Sequence, residues 1–105
     1  MRALVLVQPG RVELQQRADP TPGPGEVLLK VEATTLCGTD LRIISGAKTA
    51  GVRPGVVMGH EIAGRVAALG DGVTGYDVGQ QATPSIVLSC NHCRTCLLGY
   101  EHLCE

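Results

Sequence analysis

At 105 residues, with no Phe or Trp and only two Tyr, the chain is at most one domain, and its core must be built from Val, Leu, Ile and Ala. A core that thin leaves a small domain marginal, so a bound metal is an expected supplement. The net charge of −1, with the two signs interspersed, excludes the clustered basic surface that nucleic acid requires.

The N-terminal run Met1-Arg2-Ala3-Leu4-Val5-Leu6-Val7 ends at Gln8-Pro9-Gly10, too short for a signal-peptide core, and no later run approaches membrane-spanning length. The expected address is the cytoplasm, where thiols stay reduced. Five cysteines there read as ligands or reactive groups before they read as disulfides, and an odd count leaves one outside any set of pairs.

Residues 3–7 and 12–16 read as short strands around the Gln8-Pro9-Gly10 turn. Asp19-Pro20-Thr21-Pro22-Gly23-Pro24-Gly25 is a stiff loop, because three prolines fix φ and remove backbone donors. Residues 26–33 resume as a strand, and residues 39–45 form a helical turn with Thr39 as its N-cap and Gly46 as its stop. Gly51-Val52-Arg53-Pro54-Gly55 is a further loop. Residues 62–69 are apolar enough for a buried strand weakened or bent at Gly64, and residues 82–88 are a strand candidate with Pro84 holding its start to an edge. Many short strands with Gly/Pro turns point to a mostly β barrel.

Gly70-Asp71-Gly72-Val73-Thr74-Gly75 matches G-x-G-x-x-G. A dinucleotide fingerprint needs a helix to open at that point, with its N-terminus on the pyrophosphate. The next residues, Tyr76 to Pro84, have no helical periodicity, so the motif reads as a glycine-rich β-turn.

The C-terminal stretch carries Cys90, Cys93, Cys96 and Cys104, spaced C-x2-C-x2-C-x7-C. The short gaps turn successive sulfurs toward one point, and the longer excursion returns the fourth. Four thiolates saturate a tetrahedral zinc and leave no open position, so the site reads as structural. Disulfides would need an oxidising compartment. An iron–sulfur cluster is the sharper rival, but the ferredoxin run continues x3-C-P, whereas Glu105 follows the fourth cysteine here. His92 and His102 could serve as substitute ligands. With four thiols already sufficient, both read as solvent-facing.

Upstream stand Cys37-Gly38-Thr39-Asp40 and Gly59-His60-Glu61. A thiolate and an imidazole make a zinc pair, and a site short of four protein ligands has room for catalysis. Zinc lowers the pKa of bound water from about 15.7 to about 7, a change on the order of 12 kcal/mol. By residue type alone other roles stay open, with Cys37 as a buried small hydrophobe and His60 as a hydrogen-bonded core histidine. Glu61 poses a geometric problem, since adjacent strand residues face opposite sides. His60 and Glu61 reach one metal only if the chain bends, which Gly59 would permit.

The run Gly59-His60-Glu61-x2-Gly64-x5-Gly70-x2-Val73 resembles the full signature of the zinc-dependent medium-chain alcohol dehydrogenases. Ala3-Leu4-Val5, Pro22-Gly23-Pro24-Gly25-Glu26-Val27, Cys37-Gly38-Thr39-Asp40 and the cysteine lobe resemble the same family in the same order, over essentially the whole chain. The Cys-Gly-Thr-Asp form with Glu61 leans toward polyol and threonine dehydrogenase-like members. The resemblance implies a mainly β fold: a GroES-like partly open β-barrel, incomplete within residues 1–105, with a zinc lobe at 89–105. A Rossmann domain for NAD or NADP would come next and is absent from these residues.

The resemblance also implies site roles. Cys37 and His60 would be ligands of a catalytic zinc, and Glu61 a metal-neighbouring carboxylate that in polyol-type members is a ligand. Thr39 would take the substrate hydroxyl proton, and Asp40 would hold the imidazole of His60. A helix-cap role for Thr39 and Asp40 can coexist with these. The family's further zinc-site residue normally comes well after position 105.

Two departures stand out. Arg42 replaces a histidine that relays the proton in many members, and a guanidinium cannot accept a proton. It is open to cofactor phosphate or an anionic substrate, or to an ordinary surface ion pair. Gly79-Gln80-Gln81-Ala82 replaces the usual Gly-Asp-x-Val and touches no site residue.

The expected function is the zinc-binding catalytic part of an enzyme that oxidises an alcohol or polyol to its carbonyl compound by zinc-assisted hydride transfer to NAD or NADP, with residues 1–105 inactive alone. The expected partner is a small-molecule alcohol or polyol, with neither nucleic acid nor membrane, and homo-oligomerisation of a full-length form is left open. The competing readings are a non-enzymatic zinc-stabilised β module and an iron–sulfur carrier.

Overall fold

The computed structural model describes residues 1–105. Two antiparallel sheets carry the fold. In the first, β1 (Arg2–Gln8) pairs with β2 (Arg11–Gln16) around the expected turn, with a register shift between Leu6 and Gln8. In the second, β3 (Val27–Thr35) pairs with β4 (Glu61–Leu69), which pairs with the two-residue β5 (Gln81–Ala82).

The buried apolar core is small: Ala3, Val5 and Leu6 of β1, Met58, Val66 of β4, and Cys96 of the cysteine-rich stretch. Neighbouring Val5 and Leu6 point to opposite faces and are both buried, so β1 is covered on both sides at its centre.

A link missing from the strand pattern joins the sheets. Residues 55–58 run along the free edge of β1: the amide of Leu6 donates to the Val56 carbonyl (3.0 Å), that of Gly55 to Leu6 (2.7 Å) and that of Met58 to Leu4 (2.8 Å). The apolar Val56-Val57-Met58 between Gly55 and Gly59 is the available sign in the sequence. This segment leads directly into His60 and β4.

The 82–88 strand expectation is corrected, because pairing stops at Ala82. Thr83-Pro84 comes next, and a residue without an N–H cannot continue the ladder. The result is a barrel wall left open, with Ile86 and Leu88 68% and 91% exposed.

The glycine motif after β4 is a turn, as expected. A side chain on Gly70 would collide with the Gly23 carbonyl oxygen at 1.8 Å, so this glycine serves to pack the turn against the proline-rich loop. A side chain on Gly64 would meet the Lys30 carbonyl oxygen at 2.3 Å, beside the register shift between Val31 and Ala33. Both glycines let two backbones approach.

Helix α1 (Gly38–Ile44) follows β3, and α2 (Arg94–Leu97) lies in the cysteine lobe with a short 3₁₀ turn, Glu101–Leu103. No helix is long and apolar enough to cross a membrane. The N-cap of α1 is Cys37, not Thr39, which falls inside the first turn. The Cys37 sulfur accepts from the Thr39 amide (3.3 Å), and the Asp40 carboxylate accepts from the Cys37 amide (2.9 Å), a capping box with sulfur in place of the usual hydroxyl.

Candidate metal centres

The first centre forms where β3, α1 and β4 converge. Capping fixes Cys37 at the start of α1. Asp40, three residues on, is 1% exposed. Burial pushes its carboxyl upward in pKa, but the Cys37 amide, the His60 imidazole and the Gly59 amide together outweigh that and hold it below the ordinary carboxylate value.

Asp40 Oδ1 lies 3.2 Å from His60 Nδ1. A carboxylate at Nδ1 selects the tautomer protonated there and leaves the Nε2 lone pair free. That Nε2 stands 3.1 Å from Cys37 Sγ.

Gly59 supplies the bend required for His60 and Glu61 to share a side. Its φ is +92°, and a side chain there would meet Thr34 Oγ1 at 2.7 Å, so left-handed backbone and close packing both favour glycine. Glu61 opens β4 opposite Thr35 of β3, whose hydroxyl donates to Glu61 Oε2 at 2.5 Å. The ligand atoms of Cys37, His60 and Glu61 all lie within 4.8 Å of one another.

Zinc bonds of about 2.3 Å to sulfur and about 2.0 Å to nitrogen at a tetrahedral angle imply a sulfur–nitrogen separation of roughly 3.5 Å. The observed pair is slightly closer, and the donor set of thiolate, imidazole and carboxylate suits that ion. Two clefts flank His60. One, of about 320 Å³, is bounded by Thr34, Thr35, Glu61 and Pro84; the other, of about 420 Å³, by Asp40, Lys48, Val57 and Met58.

The second centre is the lobe. Cys90, Cys93, Cys96 and Cys104 present sulfurs within 4.8 Å of one another. Cys93 and Cys96 are 3.4 Å apart and Cys90 and Cys96 3.9 Å, bracketing the edge of about 3.8 Å of a tetrahedral zinc–sulfur site. Backbone amides aim inward: that of Cys93 at Cys90 Sγ (3.3 Å) and that of Cys90 at Cys104 Sγ (3.4 Å).

The thiols are driven apart in acidity. Hydrogen bonding from Thr95 and nearby amides brings Cys93 down to about 5, and burial pushes Cys96 up to about 12. A divalent cation bound among the four sulfurs would deprotonate its ligands.

His92 and His102 are both exposed and lie outside this group; His92 Nδ1 is 2.7 Å from the Cys90 carbonyl. Arg42 is exposed and joins none of the ion pairs within residues 1–105. Sequence reasoning misses Thr35, because its partnership with Glu61 depends on strand register, which one sequence does not display.

Residues 23–105 match the alcohol dehydrogenase GroES-like domain. The chain is 46% identical to an L-threonine 3-dehydrogenase of Stenotrophomonas maltophilia, over 99% of this chain and 32% of the relative. Among solved structures, a cobalt- and zinc-bound thermostable alcohol dehydrogenase from Pyrobaculum aerophilum superposes with a TM-score of 0.91 at 38% identity, covering 100% of this chain and 32% of that one. An acetophenone reductase from Geotrichum candidum in complex with NAD gives 0.85 at 37% identity, over 98% of this chain and 30% of that one. The chain thus spans about a third of the length of these proteins. Taken with the signature run through His60 and Glu61, these matches show that the chain belongs to the alcohol dehydrogenase GroES-like domain family.

Proposed function

We propose that Cys37, His60 and Glu61 hold the catalytic zinc of an NAD- or NADP-dependent dehydrogenase of alcohols or polyols, threonine-type substrates included. Cys90, Cys93, Cys96 and Cys104 hold a structural zinc. The observation that carries this reading is the ordered line from buried Asp40 through the His60 ring to the Cys37 sulfur. A histidine fixed in this way at its far nitrogen is the arrangement by which proteins orient a metal ligand.

Zinc, when bound there, supplies positive charge beside the substrate hydroxyl and makes its proton easier to remove. The chain's own residues supply the rest. Asp40 holds the imidazole, Thr39 in the first turn of α1 accepts the hydroxyl proton, and the clefts on either side of His60 admit the reacting molecules. Residues 1–105 form the catalytic domain part, with the lobe at 89–105, and the dinucleotide is held by residues outside them.

We place the protein in the cytoplasm, where five free thiols remain reduced. Its partners are small-molecule alcohols or polyols. A net charge of −1 gives no footing for nucleic acid.

The test is metal content with stoichiometry. The lobe has four ligands and the other centre three, so the purified chain takes up two zinc ions, and mild chelation leaves close to one. Iron in place of zinc, or loss of both metals together, overturns the assignment.

A further inference from the structure

Glu61 is the member of the first centre whose position the signature leaves least determined. It sits at the mouth of β4, exposed, one residue beyond a histidine that a strand would turn the other way. A carboxylate on such a side chain has several rotamers and two equivalent oxygens. Something must choose among them if it is to face the thiolate–imidazole pair.

The last two residues of β3 make that choice. Thr34 and Thr35 pair with Ile62 and Glu61 respectively, and their side chains alternate. Thr34 packs its hydroxyl against the bare Cα of Gly59, fixing the bend that precedes His60. Thr35 donates to one carboxylate oxygen of Glu61, Oε2, at 2.5 Å. The other oxygen, Oε1, accepts no hydrogen bond within the chain, and a carboxylate oxygen of Glu61 belongs to the same cluster of ligand atoms as Cys37 Sγ and a ring nitrogen of His60. Thr34, Thr35, His60 and Glu61 all line one cleft, so this pairing lies at the centre and not on a remote surface.

We propose that Thr35 is a positioning residue for the metal centre: its hydroxyl occupies one oxygen of Glu61 and thereby presents the other to the metal. The inference rests on the catalytic-centre reading above. It gives the centre the same architecture at two ligands, Asp40 holding His60 from behind and Thr35 holding Glu61 from the side. Outer partners of this kind change metal affinity by about 10–100-fold when removed. An ordinary Thr–Glu cross-strand pair on a surface would contribute a little sheet stability and nothing to the metal.

The experiment uses the chain with zinc retained in its lobe and titrates the remaining centre with cobalt(II), read by its visible ligand-field bands. Thr35→Val keeps the β-branched shape and removes the hydroxyl. It is expected to weaken cobalt binding by about 10-fold or more and to alter the bands, while lobe zinc and circular dichroism stay unchanged. Thr35→Ser is expected to restore both affinity and spectrum. In a Glu61→Ala background, Thr35→Val is expected to add nothing further, since the acceptor of its hydroxyl is already gone. Should the valine variant not fold, Thr35→Ala makes the same deletion.

Affinity within about twofold of the parent with an unchanged spectrum overturns the proposal, as does a serine variant as weak as the valine one. An equal loss in the Glu61→Ala background also overturns it, by showing that Thr35 acts elsewhere. A parent chain that takes up no cobalt at this centre would instead sink the catalytic-centre reading itself, a result distinct from the others.

Discussion

Asp40 shows how one residue serves two ends. Its carboxylate caps α1 through the Cys37 amide and faces the Nδ1 of His60, so the local rule that starts the helix also orients the imidazole of His60. The structure thereby separates two roles that a sequence cannot distinguish for Thr39. Because Cys37 is the N-cap, the Thr39 side chain carries none of the capping energy, worth about 0.5–2 kcal/mol at a true cap. In a dehydrogenase of its relatives' length carrying this sequence, Thr39→Ala is therefore expected to leave thermal stability and zinc content near the parent's. Turnover should fall by about 100-fold or more, the usual contribution of a positioned proton acceptor. Thr39→Ser should retain most of the activity. Equal inactivity of the serine and alanine variants would assign the effect to the methyl group and remove the proton role.

Among the elements, the strands were legible where alternation and turn residues agreed, as in β1, β2 and β3, whose observed bounds lie within a residue or two of those expected. They were not legible where pairing depends on a distant edge. Val56 and Val57 form no named strand, yet they close the gap between β1 and the site. The candidate site residues, which the structure brings together, were readable from spacing and family signature, whereas the partner of Glu61 was not, because register couples Thr35 to a residue 26 positions away. The lobe stands apart energetically. Apart from Cys96 it contributes nothing to the buried core, and its helix has only four residues, far below the length at which a helix is stable alone. If the four sulfurs hold zinc as proposed, its fold depends on that metal, whose binding free energy is folding free energy. Cys96→Ser is expected to release the lobe zinc and lower thermal stability while leaving cobalt binding at the Cys37–His60 centre in place, as read by elemental analysis and the visible spectrum. Loss of the Cys37–His60 metal with the lobe zinc retained would mean the two centres have been assigned in reverse.

At the scale of the whole molecule the chain is open. Its radius of gyration is 15.6 Å, against about 13 Å for a compact domain of this length, and only 8 of 105 residues are buried. Val78, Ile86, Leu88 and Leu97 stand well exposed, and β5 offers an unpaired edge, so concentrated solutions should tend to associate. This openness bears on what residues 1–105 can do with a dinucleotide. Hydride transfer requires the nicotinamide to be held against the substrate carbon, and positioning of that kind is worth about 7–11 kcal/mol. Holding the pyrophosphate requires a helix that opens directly after a strand. Here β4 ends at Leu69 and the chain enters a turn packed on the Gly23 carbonyl, then reaches β5 with no helix between them. The longest helix, α1, has seven residues, and its first turn is already committed to Cys37 and Asp40. Residues 1–105 by themselves are therefore expected to bind neither NADH nor NADPH and to oxidise no alcohol, however fully both centres are loaded with zinc. Titration with NADH, followed through nicotinamide fluorescence, checks this directly. A featureless response up to about millimolar cofactor is the expected result, since that concentration corresponds to only about 4 kcal/mol of binding. Saturable micromolar binding would reveal a dinucleotide site in this chain and return attention to Gly70, Gly72 and Gly75.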